Sequence, residues 1–213
     1  MTTPRRPIEI PPPGVPRTPE HEPSPVPRVP RVPLSERPTH DDPIAGLLAS
    51  RRLLLIGRLE DETVERVSAE LMLLDGRSVD PVELSINSAG GPVEPALALL
   101  DVLTLMRAPV ATRCIGMASG TAAAVLASGT GGRSATPRAT ICLRISETTT
   151  VEGRADDIRR DAERLSAAWH QLATRVVETS RLTLEQAVHD IRDGDHLSAD
   201  DARDVGLIDH IVT

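Results

Sequence analysis

The 213-residue sequence predicts an α/β fold in which helices cover the faces of a mainly parallel sheet. One observation is that short aliphatic runs, typical of buried strands, alternate with segments whose apolar residues recur at helical spacing. A second is that this alternation begins only after residue 43, because the segment before it holds 14 of the 19 prolines. We therefore expect one domain at residues 44–213, preceded by a disordered, proline-rich arm at residues 1–43.

Two strand–helix units open the predicted domain. An aliphatic run at residues 53–56 predicts the first strand, and the helix after it is indicated by apolar residues at helical spacing: Val64, Val67, Leu71 and Leu74. The second strand is predicted at residues 82–87, after which Gly90 and Gly91 turn the chain. Pro92 opens the second helix, whose apolar residues share one face: Ala96, Leu99, Leu100, Leu103 and Met106.

A third unit consists of a buried strand at residues 110–115, a helix of small residues at about 119–127 and a further strand at 139–145. One long apolar stripe then predicts a helix of about six to seven turns by the 3.6-residue period, with these members: Ala155, Ile158, Ala162, Leu165, Trp169, Leu172 and Val176. Capping residues Thr183 and Ser198 predict two shorter helices, and residues 207–212 a last strand.

Composition excludes several function classes. The net charge of −7 provides no basic surface for nucleic acid. With no Phe, no Tyr and a single Trp, aromatic binding pockets are excluded, and neither a metal site nor a cofactor is expected. The chain has no apolar run long enough for a membrane span and no signal-peptide pattern, so we expect a cytoplasmic protein with no membrane partner. Cys114 and Cys142 lie in apolar runs, where cysteine acts as a small hydrophobe.

Several short motifs resemble those of the Clp protease proteolytic subunit, ClpP, of peptidase family S14. They are I-N-S-A-G-G at residues 86–91 with Val93, C-I-G-M-A at 114–118, L-A-S-G at 126–129, and L-S-A followed by G-L-I-D within 197–209. Their order and spacing make the resemblance specific, and it extends from about residue 42 to 213. The resemblance implies a ClpP/crotonase-like spiral of βα units, in which the long helix around Trp169 is the handle that joins two rings.

The catalytic positions that the resemblance implies do not carry the catalytic residues of the family. Matched without gaps, the nucleophile falls on Gly120, the histidine base on Arg144 and the orienting aspartate on Gly194. A glycine has no hydroxyl, and an arginine stays protonated at neutral pH, so neither can do the chemistry of a serine peptidase. Ser119 is one residue early and is expected to cap the following helix, although it stays open as a substitute nucleophile.

Some partial substitutes for the lost groups remain. Asp193 and Asp195 flank the aspartate position, and His196 lies in a turn near the predicted site. An oxyanion hole needs backbone N–H donors, and the N–H groups of Gly91 and Thr121 are the predicted pair.

Two further sets of positions bear on partners. Arg192 and Asp193 match, in swapped order, an Asp-Arg pair that the family uses between rings. The pocket in which family members hold the unfoldase loop is implied to carry Glu83, Ser85 and Leu105 in place of aromatic residues, so docking of an unfoldase is doubtful.

These observations predict a non-catalytic, structural or regulatory subunit of a Clp-type protease ring, assembled with itself or with active Clp proteolytic subunits. One alternative is an active ATP-dependent Clp serine peptidase subunit that uses Ser119. A second alternative is a crotonase-like acyl-CoA enzyme, for which Glu94 is the acid or base nearest to the glycine pair.

Overall fold

A computed structural model describes residues 42–145 and 154–212. The predicted arm therefore lies outside the described residues, apart from its last two. The described strands are β1 Arg52–Arg58, β2 Val82–Gly90, β3 Val110–Ser119, β4 Arg133–Ala135, β5 Thr140–Cys142 and β6 His210–Ile211. The described helices are α1 Pro43–Ala49, α2 Asp61–Arg77, α3 Val93–Leu105, α4 Thr121–Ala127, α5 Ala155–Thr179, α6 Leu184–Asp193 and α7 Ala199–Asp204.

The six strands form one parallel sheet in the order β1-β2-β3-β4-β6, and β5 pairs with the end of β3. In the central register, Leu84 lies opposite Leu53 on one side and Thr112 on the other. β3 is the longest strand because β4 pairs with its first half and β5 with its second half. The predicted α/β class with a parallel sheet is confirmed.

The core lies between one face of this sheet and helices α2, α3 and α4. The predicted apolar face of α2 is buried as expected, and every residue of α4 is buried. Alanine is the commonest residue of α4, which lets the helix backbone approach the sheet closely. On the opposite face of β2, Glu83 and Ser85 are half-buried.

The predicted long helix is confirmed as α5, which spans 25 residues. Its second half packs into the core through Ala168, Leu172, Ala173 and Val176. Its first half, residues 156–164, is exposed at every position. Within the described residues, α5 therefore projects beyond the body of the domain. None of the described helices has the length and apolarity that crossing a membrane requires.

The junction between β3 and α4 differs from the prediction. β3 continues through Ser119, which lies in register with Cys142 of β5, and α4 begins only at Thr121. The N-cap residue is Gly120, and it provides no side-chain hydrogen bond. Ser119 is thus not the helix cap that the sequence predicted, because pairing with β5 keeps its backbone extended. The capping box predicted at Thr183 and the helix cap predicted at Ser198 are present, and Ser198 also forms a capping box with Asp201.

Candidate active site

A sharp strand-to-helix turn at Gly120 forms the centre of the candidate site. Gly120 has φ 55° and ψ −125°, and its N–H donates to the carbonyl oxygen of Cys142 at 2.7 Å. Turns of this kind, between a buried strand and the start of a helix, expose a nucleophile in many hydrolases. Here the turn has the geometry to present a side chain, but the residue at its apex has none.

The predicted base position lies directly beside this turn. A Cβ atom added to Gly120 would lie 3.3 Å from the carbonyl oxygen of Arg144 and 3.7 Å from Cα of Ile145. Arg144 is half-buried and makes no hydrogen bond or ion pair with another described residue. The two positions that the resemblance paired are therefore neighbours in space, although neither carries a group that can attack a carbonyl or accept a proton.

The third predicted position, Gly194, joins the same cluster. It ends α6 and is buried, and its carbonyl oxygen accepts a hydrogen bond from the Cys142 thiol at 3.8 Å. One turn earlier in α6, the carbonyl oxygen of Ile191 accepts a hydrogen bond from the Ile145 N–H at 2.9 Å. A Cβ atom on Gly194 would lie only 2.5 Å from the carbonyl oxygen of Asp190, so this backbone leaves no room for an aspartate side chain.

The flanking carboxylates do not take over the lost role. Asp193 and Asp195 are exposed, and neither makes a hydrogen bond within the described part of the chain.

The substitute nucleophile and base are not brought together. Ser119 is half-buried and its hydroxyl has no hydrogen-bond partner among the described residues. It pairs with Cys142 of β5, whereas His196 precedes Leu197, which bridges to Ile141 on the other edge of β5. Their backbones are thus separated by two inter-strand spacings, about 10 Å in total, and no hydrogen bond joins the Ser119 hydroxyl to the His196 ring. A nucleophile and its base must instead share a hydrogen bond.

One of the two predicted oxyanion donors, the Gly91 N–H, is used within the protein. The Gly91 N–H donates to the Thr121 hydroxyl oxygen at 2.9 Å, and that hydroxyl donates to the Gly91 carbonyl oxygen at 3.1 Å. This corrects the prediction that Gly91 offers a free donor. The Thr121 N–H, in the first turn of α4, has no hydrogen-bond partner in the described chain. Sequence reasoning considered only the backbone of Thr121 and missed its side chain.

The predicted docking positions carry an ion pair. Glu83 of β2 contacts Arg113 of β3 with a nitrogen-to-oxygen distance of 3.0 Å, while Leu105 is 81% exposed. Arg113 was also missed, although opposite charges on two neighbouring predicted strands were a usable signal. Charged groups on the half-exposed sheet face make it a poor surface for an apolar loop.

Two alternative reactive groups within the described residues would be the Cys114 thiol and a metal-binding cluster. Cys114 is fully buried, and burial raises the pKa of its thiol to about 12, so it stays protonated at neutral pH. The described residues contain no group of three or more His, Cys, Asp or Glu side chains placed to hold a metal ion.

Comparison with known families agrees with the fold and with the motifs that surround this site. The family model described as Clp protease matches residues 35–213, which is most of the chain and includes all the described residues. The chain therefore belongs to the Clp protease family, peptidase family S14.

Proposed function

We propose that this chain is a non-catalytic, structural or regulatory subunit of a Clp-type protease ring. The observation that supports this proposal is the convergence of Gly120, Arg144 and Gly194. These are the positions where the resemblance implies a serine, a histidine and an aspartate. They lie together as a triad would, but the cluster contains no hydroxyl nucleophile and no group that accepts a proton at neutral pH.

The first alternative, an active Clp serine peptidase subunit that uses Ser119, needs a base near that hydroxyl. Ser119 has no hydrogen-bond partner in the described chain, and His196 lies on the far edge of β5. The second alternative, a crotonase-like acyl-CoA enzyme, needs a free oxyanion donor and an acid or base beside it. The Gly91 N–H is engaged, and Glu94 forms an ion pair with Arg164 at 3.6 Å.

Assembly is the part of the family function that this chain can retain. Members of the family form oligomeric rings. The exposed first half of α5 carries a partly apolar stripe that includes Ile158 and Ala162, as an interface helix does. We propose that the chain joins a ring, either with its own copies or with active Clp subunits, in the cytoplasm. The ion pair at the docking positions argues against a direct contact with the unfoldase.

A fluorophosphonate probe tests the absence of catalysis, because it labels only an activated serine. We expect no labelling of the wild-type chain and no cleavage of casein, with an active Clp subunit as the positive control. Labelling that disappears in Ser119→Ala would overturn the proposal in favour of the first alternative. Native mass spectrometry of the purified chain, alone and mixed with an active Clp subunit, then separates a homo-oligomer from a mixed ring.

A further inference from the structure

The buried hydroxyl of Thr121 holds the glycine turn at the end of β2. It accepts a hydrogen bond from the Gly91 N–H and donates one to the Gly91 carbonyl oxygen, at 2.9 Å and 3.1 Å. Thr121 has no exposed surface. Since a hydroxyl has one donor and two acceptor sites, this side chain needs no further partner to be satisfied.

The surrounding turn has little freedom to release the Gly91 N–H. A Cβ atom on Gly90 would lie 2.5 Å from the carbonyl oxygen of Ser119, and one on Gly91 would lie 2.3 Å from that of Leu59. The glycines are therefore required by the close approach of neighbouring backbone. The Gly90 N–H donates to the Ser88 hydroxyl at 3.1 Å, and the Gly90 carbonyl oxygen accepts from the Leu59 N–H at 3.0 Å.

An oxyanion hole works only if its donors are unpaired and aimed at the place where negative charge develops. In this site the Thr121 oxygen already occupies the donor that the carbonyl oxygen of a substrate would need. An arriving carbonyl must displace the Thr121 oxygen from the Gly91 N–H before Gly91 can polarise it. This obstacle is independent of the missing serine and histidine.

We propose that Thr121 is a positioning residue whose hydroxyl takes the place of the oxyanion. It blocks the Gly91 donor against any acyl substrate, whether a peptide or a thioester. This inference rests on the proposed function, since it adds a second block to the same site. It implies that restoring a nucleophile and a base is insufficient to restore acyl transfer.

Hydrogen exchange of the Gly91 amide tests the geometry without any need for activity. We expect the Gly91 amide to be protected in the wild type and in Thr121→Ser, which keeps the hydroxyl. In Thr121→Val, which has nearly the same shape but no hydroxyl, we expect exchange at least tenfold faster. The Leu59 amide, which donates a hydrogen bond to the Gly90 carbonyl oxygen, is the internal control and should keep its protection. Equal acceleration of both amides, or none at Gly91, overturns the proposal.

A kinetic test uses the double variant Gly120→Ser, Arg144→His as the background. Gly194 is left unchanged because its backbone has no room for a side chain. We expect Thr121→Val to raise the rate of fluorophosphonate labelling about 100-fold over the same background with Thr121 or Thr121→Ser, since one oxyanion donor is typically worth that factor. Equal rates in all three, including no reaction in any of them, contradict the proposal. Labelling of the wild-type chain contradicts only the proposed loss of catalysis.

Discussion

At Gly120 the backbone takes up a conformation that residues with a Cβ atom adopt only at a cost. With φ 55° and ψ −125°, it lies in a region that glycine occupies freely. In a hydrolase, a serine at such a turn is held under strain by its surroundings because the strain serves catalysis. When catalysis is lost, a glycine removes the strain and leaves the turn unchanged. A glycine at this turn is thus expected to give a more stable fold than a serine would.

Gly120→Ala should therefore destabilise the protein by about 1–3 kcal/mol, the usual cost of a strained backbone conformation. The measurement is urea unfolding monitored by circular dichroism. Gly76→Ala in α2 is the matched control. A Cβ atom there meets nothing within 4 Å and its φ is not positive, so stability should rise by about 0.5–1 kcal/mol. Equal effects of the two substitutions would show that backbone strain at residue 120 is not the cause.

Arg51 shows how the protein tolerates strain at a residue that does have a side chain. It has φ 58°, the one positive value among the described non-glycine residues. Its guanidinium donates to four backbone carbonyl oxygens around the end of α2, those of Leu74, Ser78, Asp80 and Pro81. These hydrogen bonds offset the cost of the strained conformation. At Gly120 no comparable set of hydrogen bonds would offset that cost for a residue with a side chain.

Among the elements, β4 joins the ends of two helices to the segment before the last strand through one side chain. Arg133 donates to the carbonyl oxygens of Ala127, Thr179 and Gly206, and it forms an ion pair with Asp209 that involves both carboxylate oxygens. The ends of α4 and α5 and the start of the last strand thereby share one cation. The hydrogen bond from Arg133 holds the pKa of Asp209 below its usual range.

The Asp209→Asn variant should lose less stability in acid than the wild type does. Because the pKa of Asp209 is lower in the folded state than the value of about 3.9 in an unfolded chain, its contribution is present at neutral pH. That contribution is lost as the pH falls from about 5 through the folded pKa. The drop in urea midpoint between pH 7 and pH 3 should be smaller in the variant.

Asp195→Asn is the matched control for this measurement. Its carboxylate is exposed and makes no hydrogen bond in the described chain, so the variant should keep the wild-type drop. An identical drop in all three proteins would mean that the Arg133 contact does not depend on the charge of Asp209.

Local sequence patterns predicted most elements, and the failures come from contacts between distant segments. The stripe of α5 was identifiable because its period of 3.6 continues over many turns. The end of β3 was misplaced because Ser119 is held by Cys142, a partner 23 positions away that no local pattern reveals. Thr121 was missed for a similar reason, since its hydroxyl bonds to Gly91 of another unit. The assignment of the catalytic positions stays a prediction, which rests on the spacing of the motifs.

At the scale of the whole molecule, polar and charged groups that lack a partner within the described chain are consistent with assembly. A groove of about 980 Å³ between α5 and α6 is lined by Trp169, whose indole N–H is buried without a partner in the described chain, and by Arg192. Arg192 and Asp193 are exposed at the end of α6 and form no ion pair with a described residue. A two-fold contact between copies would pair each cation with an anion of the other copy.

Arg192→Glu should accordingly shift the assembly to smaller species, because two acidic groups per copy would then face two others. A single surface ion pair contributes only about 0–1 kcal/mol, but the contact is repeated at every subunit of a ring. The double exchange Arg192→Asp, Asp193→Arg should restore the wild-type size, since each copy again offers one cation and one anion.

The control is Arg77→Glu, an equal charge change at an exposed position that ends α2. Sedimentation velocity at low salt measures all four proteins, and an unchanged profile for Arg192→Glu would place the ring contact elsewhere.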